Sequence, residues 1–207
     1  MTELDTRTAV GAPLHPEDDP HAGPILLGIA RAAIAYRGSS GGAHPEHPEW
    51  LAEPGATFVT ITEDGSLRGC IGSIQPVRTL RDDVVHNACA AAFHDPRFPP
   101  LHAQDVPRVR LEVSVLSATS PLPATSRELL LEHLRPHTDG LILGWHGHRA
   151  TFLPQVWEQL AKPDAFVDHL LRKAGLRSDF WASDLVARRF GVTAWHEPDD
   201  LRLTRVP

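Results

Sequence analysis

Cys70 stands between Gly69 and Gly72 in the run LRGCIGSI, residues 67–74, and is one of two cysteines in a chain of 207 residues. Glycine leaves a strand's backbone uncovered, so a ligand or another chain can come close to the thiol. The arrangement fits a nucleophile: Arg68 would favour the thiolate, and the neighbouring backbone N–H groups would hold an oxyanion. A nucleophile also needs a base, and His94, His86, His146 and Glu112 are the candidates, the fold deciding which of them comes within reach. The same residues fit a plainer role. Cys70 is then a small half-buried side chain in a strand, Arg68 is a solvated charge, and Gly69, Ile71 and Gly72 are contact points for a ligand.

A second stretch with chemical content is HDPRFPPL, residues 94–101. Pro96, Pro99 and Pro100 stiffen its backbone, so Asp95 and Arg97 are either presented to a ligand in fixed positions or paired to lock a turn; Asp before proline favours the lock. Glu112 interrupts an apolar alternation and lies either on a solvated sheet face or among the groups of a cleft. Thirteen histidines invite a metal, but no H-E-x-x-H is present, and HPEHPE and HGH lack the helical spacing that aims two imidazoles at one ion. No metal site and no cofactor are expected.

Composition narrows the setting. Twenty basic and twenty-six acidic residues leave a net charge of −6 with no like-charge block, so there is no strong nucleic-acid signal. There is no P-loop and no G-x-G-x-x-G, while RNA bound through an unfamiliar cleft stays open. Cys70 and Cys89 form no C-x-x-C, which reads as a reducing, cytoplasmic setting. The start of the chain has no basic, apolar leader, and nowhere do eighteen apolar residues run together, so no membrane segment is expected.

The elements that must position these groups follow from periodicity. Residues 1–22, polar and rich in proline and acid, predict a disordered or loosely attached tail, and 198–207 a second tail. From Pro24, Ile25, Leu26, Ile29, Ala33 and Tyr36 recur at helical spacing until Gly38. A glycine- and proline-rich loop follows, then TFVTIT and SLRGCIGSI as a hairpin about EDG. Thr79 with Asp82 opens a helix to Phe93 that carries Cys89 in the core. VRLEVSVLS is a strand with Leu111, Val113 and Val115 on one face and Glu112 on the other. Thr125 with Glu128 caps a further helix, LILGW and RATFL pair about HGH, helical segments run from Pro154 to a stop at Gly175, and residues 185–195 return as a strand. Trp145, Trp157, Trp181 and Trp195 are expected to pack in the core. Strands and helices in mixed order with hairpins predict an α+β fold with a mixed or antiparallel sheet and packed helices.

LRGCIGSI, HDPRFPPL, EVSVLS, TFLPQVW and HLLRKAGL, in this order, resemble the motifs of the AMMECR family, called AmmeMemoRadiSam system protein A in bacteria and archaea. The resemblance spans roughly Gly23 to Trp195, giving a domain at 23–197. It implies an α+β fold with a larger and a smaller subdomain and a cleft between them near Arg68–Gly72. It also implies association with a Memo-like protein and a radical S-adenosylmethionine enzyme. The family's activity is unsettled, so the resemblance names no reaction.

Overall fold

A computed structural model of the chain describes residues 15–37 and 48–198. They form two compact units: one takes the chain up to Val113 and again from Trp195, the other runs from Ser114 to Ala194.

In the first unit, α1 (Ala22–Ala35) and α2 (Leu80–Phe93) pack on one another. The main sheet has the order β10-β5-β2-β3, with β2 at Thr57–Glu63, β3 at Ser66–Gly72, β5 at Val109–Leu116 and β10 at Val192–His196. A small ladder pairs β1 (Pro54–Gly55) with β4 (Arg78–Thr79). Alternation makes Val59, Ile61, Leu111 and Val113 the buried set of the sheet. Leu80, Val84, Ala88 and Ala91 meet the core from α2. The β2–β3 hairpin turns on Asp64 and Gly65, whose φ angles of 49° and 75° are those of the two-residue turn that matches strand twist. Thr79 caps α2 as its spacing predicts, its Oγ1 accepting the N–H of Asp82 at 3.2 Å.

The second unit holds a sheet of order β6-β9-β7-β8, made of β6 (Ser120–Leu122), β7 (Gly140–Trp145), β8 (His148–Phe152) and β9 (Val186–Phe190). It is joined by α3 (Arg127–His133) and α4 (Pro163–Lys173). Its core contains Leu130, Leu141, Leu143, Leu170 and Leu171, with Trp157 stacked on Phe166 at 3.8 Å. The stop at Gly175 is a left-handed cap with φ 79°. The N–H of Leu176 reaches the carbonyl of Leu171, and that of Gly175 the carbonyl of Arg172.

The α+β class and the antiparallel pairing agree with expectation, and several details correct it. Residues 1–14, the segment 38–47 with its glycine- and proline-rich run, and 199–207 lie outside the described residues. The remainder of the expected N-terminal tail is folded: Pro16 and Ala22 are buried, and the indole N–H of Trp50 donates to Asp19 at 3.0 Å. The first helix therefore starts at Ala22, with Pro24 in its first turn, where no intrahelical N–H bond is lost. It ends at Ala35, before Arg37 at φ 51°. Ser126, not Thr125, caps α3, because its hydroxyl is the one that meets the N–H of Leu129. The single closing strand is two: the chain breaks at Gly191, leaving β9 in one sheet and β10 in the other. Of the four tryptophans expected in the core, Trp157 is there, while Trp145, Trp181 and Trp195 are half-buried.

Candidate functional site

The glycines around Cys70 serve packing. A Cβ on Gly69 would stand 2.2 Å from the carbonyl oxygen of Ala91, so this residue lets α2 lie directly on β3. A Cβ on Gly72 would stand 2.2 Å from the ring of Phe58. Gly69 is buried, and Arg68, Cys70, Ile71 and Gly72 are half-buried.

β3 is an edge strand, and Cys70 is opposite Thr60. Its backbone is completed by the loop after α2. The Cys70 N–H donates to Asp95 Oδ2 at 2.8 Å, and Arg97 Nη2 donates to the Cys70 carbonyl at 3.0 Å. Asp95 and Arg97 are themselves paired: Nη2 meets Oδ2 at 2.7 Å, Nε meets Oδ1 at 3.0 Å, and the Arg97 N–H meets Oδ1 at 3.1 Å. The two side chains thus supply the acceptor and the donor that a neighbouring strand would otherwise offer, closing the edge at this residue. The Arg97 guanidinium, assisted by the N–H groups of Cys70 and Arg97, holds the buried Asp95 carboxyl far below the usual carboxylate range.

The thiol has a hydroxyl as its neighbour, Thr60 Oγ1 donating to Sγ at 3.5 Å. Among the described residues His94 is not hydrogen-bonded to it. His94 caps the end of α2, exposed, with its ring edge-on to Phe93. His86 is exposed on α2. His146 belongs to the second unit, where its Nε2 meets Asp184 at 2.8 Å. Glu112 is half-buried on β5, alternating with the buried Leu111 and Val113, the same alternation that the strand pattern predicts. Cys89 donates to the carbonyl of Ala33 at 3.5 Å, and burial pushes its thiol up.

Sequence reasoning missed a polar group in the core at the far end of β3. Asp83, wholly buried, accepts the N–H and hydroxyl of Thr57, both at 2.8 Å, and the amide of Asn87 at 2.9 Å. Its other oxygen accepts from Ser73 at 2.9 Å and from Arg78 at 3.2 Å. The signal was present: Asp83 and Asn87 sit one turn apart on the stripe of α2 that Leu80, Val84 and Ala91 bury. With every Asp83 lone-pair direction used, this cluster fixes Ser73 and the start of β2 to α2. Residues 69–73 are thereby pinned at three places: the Gly69–Ala91 contact, the Asp95–Arg97 clamp and the Asp83 cluster. What remains for function is a rigid backbone carrying a half-buried thiol, with Arg97 more than half exposed beside it. No group of three or more metal-ligating side chains occurs among the described residues, and none of their helices is long and apolar enough to cross a membrane.

The AMMECR1 family model matches residues 27–195. A protein of Methanothermobacter thermautotrophicus is 36% identical over 182 residues, covering 84% of this chain and 94% of its own. One of Aeropyrum pernix is 37% identical over 204 residues, 92% of this chain and 86% of its own. The crystal structure of an uncharacterised protein of Pyrococcus horikoshii superposes with a TM-score of 0.70 at 29% identity, covering 84% of this chain and 91% of that one. The match takes in the cysteine strand, its clamp and the second unit, and the chain belongs to the AMMECR1 family.

Proposed function

We propose that this chain is a substrate-binding or adaptor component that acts with a Memo-like protein and a radical S-adenosylmethionine enzyme, using the surface around Arg68–Gly72. The observation that carries this reading is the way Cys70 is held. Both of its backbone polar groups are consumed by Asp95 and Arg97, and its thiol has a hydroxyl donor beside it. A clamped strand suits recognition, because a surface fixed before binding loses little entropy when it binds. The Cys70 N–H, already bonded, is closed to an oxyanion. Arg97, its Asp95-facing side fixed and its remainder exposed, supplies a positioned cation for an acidic group of a substrate or partner. Co-purification of the tagged chain with each of the two partner proteins tests the reading: retention of either, weakened by Arg97→Ala, is expected, and retention of neither overturns it.

A second reading makes Cys70 a nucleophile or redox thiol acting on a small molecule or a modified nucleic acid. It is favoured by the thiol's partial exposure beside an arginine. It requires a base, and His94 makes no bond to the thiol.

A further inference from the structure

On the helical side of the first unit, a cavity of about 200 Å³ opens between the end of α1 and the loop after α2. Its floor is apolar, formed by Ile34, Phe93, Leu101 and Val106, of which Ile34 and Leu101 are almost wholly buried. Its mouth carries Arg37 and His102, both exposed. The walls are tied down. Leu101 N–H donates to the Ala92 carbonyl at 2.9 Å, and Arg31 Nη1 donates to the Val106 carbonyl at 2.7 Å. Asp105 accepts the His102 N–H at 3.1 Å and is occupied by Arg108 at 2.8 Å, so its charge is already paired.

We propose that this cavity binds a small carboxylic acid bearing one aromatic ring or a branched chain. An apolar cavity of about 150 Å³ holds a benzene ring, while drug-sized ligands occupy pockets of about 300 Å³ or more. The volume therefore fits a single ring with a short arm. Charge selects the arm. Arg37 leaves α1 in a left-handed conformation, φ 51°, and its guanidinium lies over the Phe93 ring at 5.1 Å from the centroid. Left-handed as helix ends often are, and with its N–H on the Ile34 carbonyl, Arg37 sets a full positive charge at the cavity mouth, outweighing the roughly half negative charge of the helix end beside it. A ring on Ile34, Phe93 and Leu101 places a carboxylate within reach of Arg37.

The test is a titration of the full chain, followed through its methyl resonances, with phenylacetate, phenylacetamide and benzylamine. Phenylacetate is expected to shift the Ile34, Leu101 and Val106 methyls saturably, with the neutral amide weaker and the amine weaker still. Arg37→Gln, an exposed change, is expected to lower phenylacetate affinity by about tenfold, the effect of one lost charge-assisted hydrogen bond. Ala35→Leu at the mouth is expected to abolish the shifts while the Leu170 and Leu171 methyls of the second unit stay in place. Absence of any shift in the unaltered protein, or amide or amine binding as tightly as the acid, overturns the proposal.

Discussion

Asp95 accepts from the Cys70 N–H and from Arg97, so truncating it leaves a backbone donor and a guanidinium without their partner at once. Asp95→Ala is expected to lower the unfolding free energy by about 3 kcal/mol in urea titrations at neutral pH. The pH dependence has a defined sign. Because the folded-state pKa of Asp95 is depressed, its contribution is complete above the unfolded value of about 3.9 and is lost as pH falls below it. The stability difference between the unaltered protein and Asp95→Asn should thus be constant near neutrality and shrink below about pH 4; a difference that grows in acid would contradict the assignment. Cys89 offers a separate check. Burial raises its thiol pKa, so alkylation by iodoacetamide, resolved by peptide mass spectrometry, should be slow in the native protein until the pH rises well above the roughly 8.5 of a free cysteine.

β3 and α2 lie so close that the glycine between them has no substitute. Gly69→Ala would drive a methyl into the Ala91 carbonyl and is expected to cost about 2 kcal/mol by separating helix from strand. Gly28, exposed on α1 with open space around it, is the opposite case: Gly28→Ala is expected to stabilise by about 1 kcal/mol. Thermal unfolding of the two variants should move in opposite directions. The hairpin, the capped helix and the Gly175 stop could be read from the sequence because each is written in local chemistry: Asp64–Gly65, Thr79 with Asp82, and a glycine after Arg172 and Lys173. The partner of Cys70 could not. The ladder starts with Glu63 opposite Ser66 and Thr62 opposite Leu67, a register that would set Cys70 against Val59. A bulge at Arg68 shifts it by one, placing Cys70 opposite Thr60, and nothing in the local composition announces that extra residue. The clamp was half readable: the prolines around Asp95 and Arg97 pointed to a lock, but that it locks Cys70, twenty-five residues away, depends on the tertiary fold.

The second unit has a core of its own, with Leu130, Leu141, Leu170 and Leu171 in it. The first unit is closed behind β10 by Glu197, whose carboxylate accepts from both Arg31 and the Leu111 N–H while its own N–H meets the Leu111 carbonyl at 2.9 Å. Glu197→Ala is expected to cost about 3 kcal/mol, because Arg31 and a strand N–H lose their acceptor together. Hydrogen exchange should show the loss in α1 and β5 and spare Leu170 and Leu171 in α4; equal loss in both units would mean that they unfold as one. For function, the account rests on Cys70 being part of a fixed binding surface and not a reacting group. The direct measurement is complementation of cells lacking this protein by Cys70→Ser and Cys89→Ser, with partner retention assayed alongside. Full function in both variants is the predicted result; loss of function in Cys70→Ser with partner retention intact would contradict it and make the thiol the site of chemistry.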